Sequence, residues 1–463
     1  MSEPYILDWA RQLGSTTDDY AYSVAIDSNN NVYITGYTAG GLDGNTNAGV
    51  SDDVFLVKYD STGSKIWTRQ LGTTTSDLAF SVAIDSNNNV YITGYTAGSL
   101  DGNTSAGSYD SFLVKYDSTG TKVWTRQLGT TTADYARGVA IDSNNNVYIT
   151  GSTSGSLDGN TSAGSVDSFL AKYDSSGSKV WTRQLGTTTA DSARGVAIDS
   201  NNNVYITGNT AGSLDGNTGA GLNDALLVKY DSSGTKIWTR QLGTSTNDIA
   251  YSVAIDSNNN VYITGYTAGS LDGNTGAGSN DVFLVKYDSS GTKIWTRQLG
   301  STNYDIAVGV AIDSNNNVYI TGNTAGSLDG NTGAGSDDAF LTKYDSSGSK
   351  IWTRQFGTTV NDYAYSVAID SNNNVYITGY TNGSLDGNTG AGLNDAFLAK
   401  YVAPEQEPAP EPAPAPAPAP APALTISMKS MFTNNAQVFY KPHSLAPGGV
   451  GSVRNSRFKS KHT

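Results

Sequence analysis

The chain has 463 residues, no cysteine, 52 glycines, 28 tyrosines and a formal net charge of −14. Disulfide frameworks and thiolate metal centres are therefore excluded, and an acidic body lacks the positive footprint that nucleic-acid binding needs. No apolar run approaches the length of a membrane span, and the start, MSEPYILDWARQLG, lacks the basic and apolar regions of a Sec signal peptide.

The first element, Tyr5–Gly14 (YILDWARQLG), reads as a strand. A second strand follows, and with it the decamer DSNNNVYITG at Asp27–Gly36. The same ten residues return at Asp85, Asp142, Asp199, Asp256, Asp313 and Asp370, 58 residues apart at first and 57 thereafter. A fixed period of this size marks an array of small supersecondary units. In the second unit, LAFSVAID (Leu78–Asp85), VYITGYT (Val90–Thr96), SFLVKYD (Ser111–Asp117) and KVWTRQL (Lys122–Leu128) predict four strands. They are joined by SNNN, a long loop and STGT, the pattern of an antiparallel meander. Bulk on both faces of the second and third strands predicts sheets covered on both sides.

Such sheets either run on as a solenoid or close into a propeller. The last unit stops at FLAKY (Phe397–Tyr401) without its outer strand, and the missing strand stands at the other end of the chain, as Tyr5–Gly14. A unit divided between the termini predicts that the termini meet. The expected fold is all-β: a seven-bladed β-propeller over residues 5–401, its four-stranded antiparallel blades closed by the N-terminal strand.

The Asp–turn–NVYITG core, the FLVKYD strand, WTRQLG and a late xDxA element together resemble the bacterial SBBP β-propeller repeat. The resemblance covers Tyr5–Tyr401. It implies an exported or cell-surface protein with a binding role, although a signal peptide is lacking.

DSNNN places Asp27, Asn29 and Asn31 at the first, third and fifth positions of a calcium loop. Val32 and Thr38 stand where that motif needs Gly and an acid. The better reading is an Asx-stabilised hairpin with a two-residue loop and Asn in the left-handed conformation. The LDGNT loop is a second, weak calcium candidate through Asp43, Asp101, Asp158, Asp215, Asp272, Asp329 and Asp386; otherwise no cofactor is expected.

Both histidines, His443 and His462, lie near the C-terminus, and before residue 402 the sole glutamate is Glu3. An imidazole base or thiol nucleophile is thus missing from the propeller. Most of its aspartates recur in every unit, as structural residues do, so an enzyme is not expected. Variation among the copies is more informative. Tyr20, Leu78, Tyr135, Ser192, Ile249, Ile306 and Tyr363 share one repeat position. Tyr22, Phe80, Arg137, Arg194, Tyr251, Val308 and Tyr365 share another, on the face of the long loops. Arg137 and Arg194 are the only arginines at their position. With Tyr135 and Tyr251, and with Tyr20, Tyr22, Tyr363 and Tyr365 alongside, they are the candidate ligand-binding residues, since Tyr and Arg are the common vocabulary of binding surfaces.

Residues 402–423 are Pro/Ala-rich and read as an extended spacer reaching ~60 Å at about 3.1 Å per residue. Residues 424–463 hold six basic side chains and no acid. They read as a sorting or attachment signal, a basic arm for an anionic surface or for secretion or assembly machinery, or a free end. Comparing where the full-length protein and a version ending at Tyr401 localise separates these. The sequence thus predicts a non-catalytic scaffold, extracellular or at the cell surface, that binds a carbohydrate or protein ligand on its long-loop face. The alternatives are a propeller hydrolase or lyase using Asp, Arg and Tyr, and a structural component of a larger particle.

Overall fold

The structure, a computed structural model, describes residues 5–404. The readings made for the spacer from Glu405 onward and for the basic segment 424–463 fall outside the described residues. Seven four-stranded antiparallel sheets make up the described chain. In the first blade the strands are Asp19–Ile26, Val32–Thr38, Asp53–Tyr59 and Lys65–Leu71, from inside to outside. The seventh is Asp362–Ile369, Val375–Thr381 and Asp395–Val402, completed by Ile6–Leu13 from the other end of the chain. That strand pairs antiparallel with the third strand, from Ile6 opposite Val402 to Leu13 opposite Ala396. The fold is a seven-bladed β-propeller closed as the split unit requires.

The decamer folds as it does because its aspartate collects most of the turn's donors. One Asp27 carboxylate oxygen accepts the amides of Asn29 and Asn31; the other accepts the Asn31 side-chain amide and the Tyr33 hydroxyl. The Asp27 amide bonds the Asn31 carbonyl and the Asn30 amide bonds the Asp27 carbonyl, so the loop has three residues. Asn30 alone is left-handed, at φ 61°. This corrects the expected two-residue loop: a type I turn followed by one left-handed residue suits Ser-Asn-Asn, whereas a two-residue primed turn needs φ > 0 earlier. The calcium-loop reading of DSNNN fails for the same reason, since the carboxylate is saturated and 4% exposed.

Blades join through a core layer and two rings of polar contacts. Tyr33, Tyr91, Tyr148, Tyr205, Tyr262, Tyr319 and Tyr376 are fully buried and pack into the layer between successive sheets. On the short-turn face the serine of each DSNNN turn bonds the left-handed asparagine of the next, as Ser28 does Asn88 (3.0 Å) and Ser86 does Asn145 (3.0 Å). The last link, Ser371 to Asn30 at 3.1 Å, crosses the chain ends. On the long-loop face the Asp77 amide donates to the Asp52 carbonyl at 2.8 Å, and Asp19 repeats this with Asn394. Seven equivalent seams, one of them spanning the termini, make a closed ring.

Those seams bury acids. Burial pushes Asp19, Asp77, Asp134, Asp248, Asp305 and Asp362 above the ordinary carboxylate value, against hydrogen bonds that act downward; a carboxylate of the preceding blade adds to the rise. Hydrogen bonds in the outer turns hold Asp60, Asp117, Asp174, Asp231 and Asp288 below that value. Above the unfolded pKa of roughly 3.9 the first group makes the folded state bind extra protons, so it favours folding as pH falls. The second group's contribution is complete above that pKa and is lost below it. The melting temperature is therefore expected to rise as pH drops from 7 and to turn down below about pH 4. Circular dichroism melts across this range check it; a steady fall from pH 7 contradicts it.

Candidate binding site

The innermost strands of all seven blades surround a central channel, and each carries a β-bulge near its entrance from the long-loop face. In the first blade Ala21 pairs with Gly36 and Ser23 with Thr35, which leaves Tyr22 as the extra residue. The corresponding extra residues are Phe80, Arg137, Arg194, Tyr251, Val308 and Tyr365. A bulge re-aims a side chain and is common beside functional sites. The glycine of VYITG permits it: a Cβ on Gly36 would lie 1.7 Å from the Tyr20 carbonyl oxygen. The frame is thus identical in every blade, and the seven side chains it presents are not.

These side chains enclose a cavity of about 550 Å³. Tyr22, Phe80, Arg137, Arg194, Tyr251, Val308 and Tyr365 all line it, with Tyr304, Tyr363 and Asn323. Tyr20 and Tyr135 stand behind this layer: Tyr20 packs on Tyr380 at 4.5 Å, and Tyr135 on Tyr95 at 4.9 Å. An aromatic arc runs through blades seven, one, two and three, with Tyr22 stacked on Tyr365 at 4.7 Å and against Phe80 at 5.0 Å. Burial raises the phenol pKa of Tyr22, Tyr363 and Tyr365 above the ordinary value, so these hydroxyls stay neutral donors. Tyr20 and Tyr95 are pushed up to about 12.

The arginines sit against aromatic faces, Arg137 4.2 Å from the Phe80 ring centre and Arg194 4.8 Å from that of Tyr251. Cation–π contact holds a guanidinium in place without consuming its donors. Neither has a carboxylate within ion-pair distance among the described residues, and the cavity lining contains no acid. Arg194 Nε is buried without a hydrogen-bond partner. Burial and the neighbouring Arg194 guanidinium lower the Arg137 pKa, yet a guanidinium remains charged at neutral pH. Two half-buried positive charges therefore share one acid-free cavity. The structure brings Tyr22, Arg137, Arg194, Tyr251, Tyr363 and Tyr365 together and puts Tyr20 and Tyr135 in support.

Three contributors were missed. Tyr109 packs on Tyr95 and Tyr135. The Tyr304 and Tyr363 hydroxyls both donate to Asp337, the latter at 2.7 Å. Comparing the residue just before each third strand (Asp52, Tyr109, Val166, Asn223, Asn280, Asp337, Asn394) would have found two of them.

The calcium reading of LDGNT gives way to the protein's own cations. The aspartates Asp43, Asp101, Asp158, Asp215, Asp272 and Asp329 are left-handed and bind Lys65, Lys122, Lys179, Lys236, Lys293 and Lys350 of the outer strands. A threonine hydroxyl joins each, as Thr182 does Asp158. In the seventh blade Leu7 and Ala10 replace Lys and Thr, and Asp386 accepts the Ala10 amide at 3.2 Å. Among the described residues no group of three or more acids and histidines could hold a metal.

The Beta-propeller repeat model SBBP matches residues 8–43, 66–101, 123–158, 180–215, 237–272, 294–329 and 351–386. The chain belongs to the SBBP beta-propeller repeat family. Each SBBP match spans one inner strand, so each carries one bulged channel residue, while Tyr109 and Asp337 fall between matches. An uncharacterized WD repeat-containing protein, L264, of Acanthamoeba polyphaga mimivirus is 25% identical over 499 residues, covering 81% of this chain and 36% of its own length. Regulatory protein FlaEY of Caulobacter vibrioides is 27% identical over 242 residues, 45% of this chain and 25% of FlaEY. The SBBP chain thus spans about a third and a quarter of these relatives. Among solved structures, the Pan2 WD40 domain of Neurospora crassa is similar, with 11% identity and a TM-score of 0.47 over 87% of this chain and 99% of that one.

Proposed function

We propose that this SBBP propeller is a non-catalytic binding module that takes an anionic carbohydrate at its channel mouth and is displayed at a surface through residues 402–463. The observation that carries the reading is the pair of half-buried, acid-free guanidiniums of Arg137 and Arg194 in a cavity walled by aromatic rings. Aromatic faces take the apolar faces of sugar rings, and guanidiniums take acid groups bidentately. The lining itself offers neutral phenols and no acid or histidine, and the Asp337 carboxylate behind it is engaged by the Tyr304 and Tyr363 hydroxyls, which favours binding over turnover.

Arg137→Tyr with Arg194→Tyr installs a residue that three other blades already carry at this position. A hydrogen bond to a charged group contributes about 1.5–3 kcal/mol, and 1.4 kcal/mol is tenfold. The double variant should therefore lose roughly 100-fold or more in affinity while melting like the parent. An array of acidic and neutral oligosaccharides and acidic peptides, probed with both proteins, tests it. Binding of acidic sugars that survives the double substitution contradicts the proposal, and so does binding confined to acidic peptides.

A further inference from the structure

The residue after each bulge is a second variable ring of the channel: Ser23, Ser81, Gly138, Gly195, Ser252, Gly309 and Ser366. In three of the four blades where it is serine, its hydroxyl caps an inner-strand amide of the next blade, while Ser252 makes no such bond to Val310. Ser23 accepts from Val82 N at 3.2 Å, Ser81 from Val139 N at 3.2 Å and Ser366 from Val24 N at 3.3 Å. The two blades that carry the arginines have glycine instead. The amides of Val196 and Val253 consequently face Gly138 and Gly195, with no hydroxyl opposite them, and both valines line the same cavity as Arg137 and Arg194. A further donor adds to the surplus: Asn323, 4% exposed, lines the cavity with its side-chain Nδ2 unbonded.

We infer that the anionic group bound here is a tetrahedral oxyanion, a sulfate or phosphate monoester on the sugar, held by both guanidiniums and by the Val196 and Val253 amides. The inference rests on the binding reading above. A carboxylate offers two oxygens in one plane, which a single guanidinium satisfies. Two guanidiniums and two backbone amides lining one cavity instead offer enough donors for three terminal oxygens arranged around an axis, as in other oxyanion sites where backbone N–H groups supplement a basic side chain. The coincidence in sequence is specific. Arg-Gly occurs at these two adjacent blades, whereas Gly309 follows Val308 and uncaps Val367 with no arginine beside it.

The test uses the full-length protein labelled with ¹⁵N-valine and titrated with sodium sulfate, sodium phosphate, a sugar 6-sulfate, a sugar 6-phosphate and glucuronate. Val196 and Val253 amide resonances are expected to shift and saturate together with a sulfate or phosphate ester. Val82, Val139 and Val367 should stay in place, and glucuronate should bind at least tenfold more weakly. The two ester arms identify which oxyanion the site prefers. Gly195→Ser, which restores the serine found in four blades, should weaken ester binding about tenfold, the loss of one hydrogen bond to a charged group. If that variant does not fold, the amide shifts in the parent still decide. Arginine-dependent binding that leaves Val196 and Val253 unshifted, or that accepts glucuronate equally, overturns this inference and leaves the binding reading standing. If none of these anions binds the parent, both fall.

Discussion

Removing residues 1–14 is expected to abolish cooperative folding of the propeller rather than trim it. The strand Ile6–Leu13 supplies the outer edge of the seventh blade and pairs along its length with Ala396–Val402. It carries Trp9, Ala10 and Leu13 into the core, and Tyr5 just before it packs on Trp352 at 5.6 Å. Burying each large apolar side chain contributes about 1.5–3 kcal/mol, so their loss approaches the entire net stability of a domain, roughly 5–15 kcal/mol. The deletion also removes the Tyr5 carbonyl that accepts from Arg354, and Arg11, whose Nε donates to the Gly63 carbonyl at 2.9 Å. Both neighbouring seams are therefore damaged, and an unpaired edge with buried Phe397 and Leu398 on its strand is left open to aggregation. Thermal denaturation with light scattering reads the outcome. A truncated protein that melts like the parent would rule out closure by this strand.

The second large effect concerns the frame that aims the arginines. A Cβ on Gly151 would lie 1.8 Å from the Tyr135 carbonyl oxygen, and one on Gly208 would lie 1.9 Å from that of Ser192. These carbonyls belong to the bulges that present Arg137 and Arg194, and backbone cannot move aside as a side-chain tip can. Gly151→Ala and Gly208→Ala should each destabilise the protein by about 2–4 kcal/mol, at or just above the usual range for overpacking. Below the melting temperature they should also weaken acidic-sugar binding at least tenfold, because the guanidinium is re-aimed. Gly102→Ala is the control: its φ is 76° with nothing within 4 Å of the added carbon, so it should cost only about 1 kcal/mol of backbone strain and leave binding unchanged. Full affinity in the Gly151 and Gly208 variants would mean that the bulge does not position the arginines.

The propeller could be read from the chain because a repeat divided between the termini has one economical explanation, and the strand limits Val90–Thr96 and Lys122–Leu128 emerge as expected. Local turn chemistry was less legible. Asn in SNNN announces a left-handed residue but not which asparagine takes it, and that choice depends on the amides that Asp27 gathers. Variation in Tyr22, Arg137 and their counterparts against constant surroundings pointed to the residues that line the candidate site's cavity. The cavity's construction was not legible. A bulge breaks the two-residue alternation of a strand by one unpaired residue, and nothing in DYARGVAI marks Arg137 as that residue until Gly151 is seen across from it. The pairing of Asp43 with Lys65 was hidden similarly, since it joins a loop to a strand 22 residues away. The Ser-to-Gly changes at Gly138 and Gly195 look like drift in the sequence and acquire meaning only when the next blade's amide is found opposite.

The central claim, that the channel mouth is an anion site built on Arg137 and Arg194, is most directly tested by soaking a crystal of the protein in selenate and collecting data at the selenium absorption edge. The account predicts an anomalous peak inside the channel mouth, within hydrogen-bond distance of both guanidiniums and of the Val196 and Val253 amides. Peaks confined to the outer surface, with the cavity empty at selenate concentrations that fill those surface sites, would contradict it.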